Sequence, residues 1–227
     1  EAVPAKKATQ TIPIVGLNLS DPVSTGLVES LARPGGNLTG FTRIDNELIG
    51  KRLEIIKEII PKLNRVGVLW DPRLPTAEKG WKELQVTAKQ LGLQLYSMSV
   101  SSADKLESAF TDAKKAQSGA FTVSASPFIN SNQKRIAELA IKHRLPGIYF
   151  RQDWVANGGL MSYSTEQSEP CKRVSVIIDK ILKGISPADI PVERPTRFEF
   201  VINLKAAKQI GLTIPPNVLA RADRVIR

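Results

Sequence analysis

The sequence of 227 residues holds a single cysteine, Cys171, and a single histidine, His143. One thiol excludes an intrachain disulfide and a thiolate zinc cluster. One imidazole excludes a His-rich metal site, and a Ser-His-Asp triad would have to be built on His143 itself. That residue falls in Lys142-His143-Arg144 at the end of a predicted helix, where positive charge suits the helix dipole, so a structural role explains it. Aromatic residues are scarce at 6%. No apolar run reaches the ~18 residues that span a bilayer. The opening residues Glu1-Ala2-Val3-Pro4-Ala5-Lys6-Lys7 have no apolar signal core. There is no internal repeat and no low-complexity tract.

What is present is an ordinary globular balance, with 42% hydrophobic and 24% charged residues. A chain of this length buries about 70% of its unfolded surface, enough for a core without staples. It suits one large domain or two small lobes. Lys and Arg number 32 against 22 Asp and Glu, a net charge of +10. Such a charge can mark a nucleic-acid binder. Here the cations are spread through helix faces and helix ends (Lys51, Lys57, Lys89, Lys114, Lys180), and no basic run alternates with aromatics. A solvated basic surface is the reading, without nucleic acid.

Short β-rich runs alternate with amphipathic helices, as in βαβ units. Strands are predicted at 12–17, 37–41, 66–70, 93–99, 120–125, 147–150, 160–164 and 198–203. A helix is predicted from Pro22 through Val23, Leu27 and Leu31, capped by Ser20 or Asp21 and stopped by Pro34-Gly35-Gly36. Further helices are predicted at about 46–60, 76–91, from 101–102 onward, 132–142, 168–183, 204–210 and 217–226. The block from Arg65 to Phe150 then forms one doubly wound α/β lobe, with the flanking segments in a second. Chain crossings near 60–64 and 158–165 give a two-lobe plan. The N-terminal lobe takes residues 1–62 with about 165–196, and the C-terminal lobe 63–160 with about 197–227.

In an open parallel sheet, ligands sit beyond the carboxyl ends of the strands. The candidate binding residues are therefore Asn18, Ser20 and Asp21; Asp71; Ser124 and Ser126; and Gln152 and Asp153 beside Arg151. Helix amides behind Ser20–Asp21 and Ser126–Asn130 can receive an anionic group, and Asp71 or Asp153 can balance an ammonium. The plainer reading makes Ser20, Asp21, Ser101 and Asn130 helix caps, and Trp70 and Trp81 core. Trp154 and Tyr163 flank the second crossing, where an aromatic ring can stack a ligand. The set holds hydroxyls, amides and carboxylates but no paired nucleophile and base. Gly-x-Gly-x-x-Gly after a strand, a Walker-type Gly-Lys-Ser/Thr and Gly-x-Ser-x-Gly are all missing. The Arg33-Pro34-Gly35-Gly36-Asn37 stretch follows a helix and precedes a strand, so it reads as a tight turn and not a phosphate loop.

Successive stretches resemble the ABC-transporter substrate-binding family that includes aromatic amino-acid receptors. They are Ile12-Pro13-Ile14-Val15, Ser20-Asp21-Pro22-Val23, Ala32 to Gly40, Gly50 to Glu54, Lys142 to Pro146, Gly158 to Tyr163, Asp179 to Gly184, Pro187 to Glu193 and Phe198 to Asn203. No single motif decides it; their order and spacing do. The resemblance implies a type I periplasmic-binding-protein fold, two lobes with doubly wound parallel sheets. It implies an exported, often lipid-anchored receptor that works with a membrane permease and its ATPase and needs no cofactor. A small solute, foremost an amino acid, is gripped between the lobes as they close on a hinge. By matching position, the Ser20-Asp21 turn, Ser124-Ala125-Ser126 and the Tyr163 region face that solute.

The family begins with a leader and opening βαβ units, and the first strand here corresponds to a later one. The expectation is a truncated chain with an incomplete N-terminal lobe and an unpaired sheet edge. Two other classes stay open. An α/β-fold enzyme would use Asp71 or Asp153 as acid or base. The effector-binding half of a transcription regulator would need a helix-turn-helix segment, and none is seen.

Overall fold

The computed structural model describes residues 2–42, 44–74, 77–166 and 168–227. It opens with a helix that the apolar pattern does not foretell, α1 (Ala2–Ala8), none of whose residues is buried. Strands β1 (Ile14–Leu19) and β2 (Leu38–Thr42) follow. The helix predicted from Pro22 to Leu31 between them is not formed. A single turn takes its place, because the hydroxyls of Ser24 and Thr25 both donate to the Asp21 carbonyl. Such local bonds compete with helix propagation. Asp21 (φ 43°) and Gly26 (φ 68°) bound the turn in left-handed conformations, and the Leu27 N–H closes onto Pro22 at 2.9 Å.

The alternation then runs as predicted: α2 (Asp45–Ile59), β3 (Arg65–Trp70), α3 (Ala77–Gln90), β4 (Gln94–Ser99), α4 (Lys105–Lys115) and β5 (Ala120–Val123). An additional short helix, α5 (Pro127–Ser131), precedes α6 (Gln133–Lys142). Next come β6 (Gly147–Tyr149), α7 (Asp153–Ala156), β7 (Met161–Thr165), α8 (Ser168–Leu182), a 3₁₀ turn at Pro187–Asp189, β8 (Phe198–Asn203) and α9 (Leu204–Ile210). The helix predicted over 217–226 is cut into α10 (Pro216–Leu219) and a strand, β9 (Arg224–Ile226). Asp223 makes the cut. Its N–H donates to the Phe200 carbonyl at 2.9 Å and its Oδ2 accepts from the Phe200 N–H at 2.7 Å, which pins the chain to β8.

The chain divides into two compact units, a smaller one of 1–44 with 165–198 and a larger one of 45–164 with 199–227. The first passage thus falls ahead of α2, where the sequence reading places it behind. Leu53, Ile56 and Ile59 of α2 share one core with Val66, Val68 and Ile148, and so hold the helix in the larger unit.

In the larger unit the described strands form one sheet in the order β4-β3-β5-β6-β7-β8-β9. The pairs from β4 to β7 are parallel, as is β8 with β9. β8 runs against β7, since Asn203 bonds Leu160 at one end and Glu166 bonds Arg197 at the other. Two cores cover the sheet. On one face α2, α3, α9 and α10 pack over Val66, Val68, Ile148, Met161, Phe200 and Ile202. On the other, α4 to α7 pack over Leu69, Phe121, Val123 and Tyr149. Burial on both sides explains why these strands read as continuous apolar runs. Each fully buried Leu or Ile contributes about 1.5–3 kcal/mol.

In the smaller unit β1 and β2 pair in parallel, with Gly16 opposite Gly40. Phe41, Ile177 of α8 and Ile190 form one cluster; Leu19, Leu27, Val28, Leu38 and Val192 form another. The Thr39 hydroxyl donates to Ile190 at 2.7 Å, tying the returning segment to β2.

Candidate functional site

The strand ends of the larger unit gather its polar candidates. Register makes Leu69, Val123, Tyr149 and Ser162 level across β3, β5, β6 and β7. Two residues further along each chain come Asp71, Ala125, Arg151 and Ser164. The ends of β3 and β6 flank that of β5, with adjacent parallel strands about 4.8 Å apart.

Asp71 is 4% exposed and Arg73 clasps it, Nε to Oδ1 and Nη2 to Oδ2, both at 2.8 Å. The Arg73 N–H adds a third bond at 3.1 Å. Hydrogen bonding from Arg73 outweighs the cost of burial and holds the carboxyl below the usual carboxylate range. The guanidinium also lies over the Phe128 ring, 5.3 Å from its centroid. Asp153 is clasped in the same manner by Arg151, Nε to Oδ1 at 3.2 Å and Nη2 to Oδ2 at 2.6 Å. Both carboxylates therefore stand in bidentate pairs.

Ser126 is buried, and its hydroxyl accepts from the Ile129 N–H at 3.0 Å as the cap of α5. Ser124 is half-buried; its N–H continues the ladder to Leu69. Gln152 is drawn toward the C-terminal strand, accepting from Arg224 at 3.3 Å. Tyr163 is half-buried against the core that faces α2, edge-on to Phe200, and its carbonyl accepts from Arg52 at 2.8 Å. Trp154 is not available to stack a ligand. It is fully buried, with its ring 4.7 Å from that of Tyr149 and 12° from parallel. In the smaller unit, Asn18, Ser20 and Asp21 are exposed at the end of β1.

Three residues outside the sequence-based set belong to this rim. Ser164 is 2% exposed, and its hydroxyl bonds no protein atom. Gln133 and Asn157 reach Asp153 through a chain of side-chain amides. The alternation of β7 holds the signal for Ser164; nothing in the sequence links residues 133, 153 and 157. Among the described residues there is no cluster of His, Cys, Asp and Glu fit for a metal ion, and no helix long and apolar enough to cross a membrane.

A family model described as "ABC transporter substrate binding protein" matches residues 1–226. The chain belongs to the ABC transporter substrate-binding protein family. An ABC domain from Streptococcus pneumonia, solved in complex with L-Trp, is 28% identical to this family member at a TM-score of 0.80, over 99% of this chain and 77% of that one. A conserved domain protein from Vibrio cholerae is also 28% identical, at a TM-score of 0.85, over 99% and 75%. The tyrosine-binding protein of Clostridioides difficile is 26% identical over 208 residues, which are 92% of this chain and 59% of that protein. This substrate-binding protein thus spans a little over half the length of the curated relatives it matches. Its fold is that of the type I periplasmic binding proteins.

Proposed function

We propose that this chain is a receptor of an ABC importer and that its solute is an aromatic amino acid. The observation that carries the reading is the pair of Arg–Asp clasps that follow β3 and β6, on either side of β5: Arg73–Asp71 and Arg151–Asp153. Each guanidinium uses its Nε and Nη2 on its own aspartate and keeps Nη1 for a solute carboxylate. Each aspartate keeps lone pairs for an ammonium. A zwitterion finds both complements on such a rim. The half-buried Phe128 ring beneath Arg73 adds an apolar surface for a side chain. The relatives support the choice, since one was solved with L-Trp and another is a tyrosine-binding protein. The solute is held and released unchanged, outside the cytoplasmic membrane, and handed to a permease driven by an ATPase.

Isothermal titration against the twenty amino acids, with sugars and nucleosides as controls, tests the reading. Saturable heat with L-tryptophan, L-tyrosine or L-phenylalanine is expected, weakened in Arg151→Ala. Binding of a sugar or nucleoside with silence across the amino acids overturns it.

A further inference from the structure

Gln133, the first residue of α6, is 8% exposed and uses both ends of its side chain. Nε2 donates to Asp153 Oδ2 at 3.1 Å, and Oε1 accepts from Asn157 Nδ2 at 2.9 Å. Asp153 is the first residue of α7 and Asn157 its C-cap. One buried amide from another helix therefore ties both ends of α7. A buried amide stripped of such bonds is costly, so the arrangement is held.

The two clasps differ in what fixes them. Asp71 is itself buried, and packing holds it. The side chains of Asp153 and Arg151 are 35% and 42% exposed, and an exposed pair is mobile on its own. Gln133 supplies what burial does not. We infer that Gln133 is a positioning residue for solute binding: it locks the Asp153 carboxylate, which in turn fixes the Arg151 guanidinium and leaves its Nη1 to the solute's carboxylate. Gln133 does not touch the solute. The inference rests on the rim proposed above as the binding site.

The test is titration calorimetry of Gln133→Met and Gln133→Glu with L-tryptophan and L-tyrosine, alongside thermal unfolding and the ¹H–¹⁵N signals of the arginine Nε–H groups. Gln133→Met is expected to weaken binding about tenfold, more than its change in Tm foretells. In Gln133→Glu the protonated acid donates to Asp153 as the amide does, and the ionised acid repels it. The neighbouring carboxylate raises the pKa of the new acid, so affinity recovers as pH falls from 8 to 5 relative to the wild type. If Gln133→Met fails to fold, that pH profile carries the test. A lowered Tm with unchanged affinity and an unchanged profile overturns the inference. If the wild type binds neither amino acid, the reading of the solute has failed, and the Arg151 Nε–H signal decides the positioning role. A distinct, slowly exchanging signal lost in Gln133→Met upholds it; a signal untouched by the substitution overturns it.

Discussion

Arg73 grips the buried Asp71 through two guanidinium nitrogens, each 2.8 Å from its own carboxylate oxygen. The pair lowers the Asp71 pKa in the folded state, so ionised Asp71 contributes stability above its unfolded value of about 3.9, and that contribution is lost as pH falls through the folded pKa. Arg73→Leu leaves a buried carboxylate without its partner. The variant is expected to be less stable than the wild type at pH 7, and the gap is expected to close only as pH falls through the lowered folded pKa of Asp71. Urea unfolding at several pH values checks this; a gap that widens in acid contradicts it.

The Tyr149 hydroxyl is buried without a partner, and burial pushes its pKa up. Tyr149→Phe removes an unmet polar group and keeps the ring stacked on Trp154. It is expected to leave stability unchanged or to raise it by up to about 1 kcal/mol. A loss larger than that in thermal unfolding would reveal a hydrogen bond to the hydroxyl in solution.

Gly40 holds φ 137°, and a Cβ there would sit 2.0 Å from the Gly16 carbonyl oxygen across the strand pair. Both the backbone conformation and the space forbid a side chain. Gly40→Ala is expected to cost about 3 kcal/mol or more, since left-handed strain alone costs about 1–3. Hydrogen exchange localises the effect: amides of β1 and β2 lose protection, and those of β3 and β5 keep theirs.

The Ser164 hydroxyl is nearly inaccessible and unpartnered, at the level of Arg151. Ser164→Ala is expected to leave the solute-free protein as stable as before, or slightly more so. If the solute supplies the missing partner, affinity falls about five- to tenfold, the worth of one hydrogen bond. Calorimetry and thermal unfolding of the same sample separate the two effects.

The larger unit was legible because its strands are apolar on both faces. Val66 to Leu69 and Ala120 to Val123 read as buried runs, and Gly211 in a left-handed conformation stops α9 where the pattern ends. What misled was local hydrogen bonding. Ser24 and Thr25 spend themselves on the Asp21 carbonyl and end a helix that Val23, Leu27 and Leu31 advertise. Asp223 behaves as a strand residue inside a helical pattern because its carboxylate meets the Phe200 N–H, a contact between residues 23 apart. At the site, strand-end logic reached Asp71 and Asp153. It missed that Arg73 and Arg151, each two residues away, already neutralise them. Gln133 and Asn157 join the rim by tertiary contact alone, and Trp154, which the sequence leaves open between core and stacking surface, is core because it covers Tyr149.

The larger unit is assembled from two stretches of chain, and its sheet takes β8 and β9 from residues made after the whole of 165–198. A ribosome delivering this polypeptide from its amino end presents β7 with a vacant flank for more than thirty residues of synthesis. The hydrophobic seats awaiting Phe200, Val201 and Ile202 stay open through that interval. Completion of that sheet therefore waits on residues 198–226, and a nascent chain stalled before Phe198 leaves the flank of β7 uncovered.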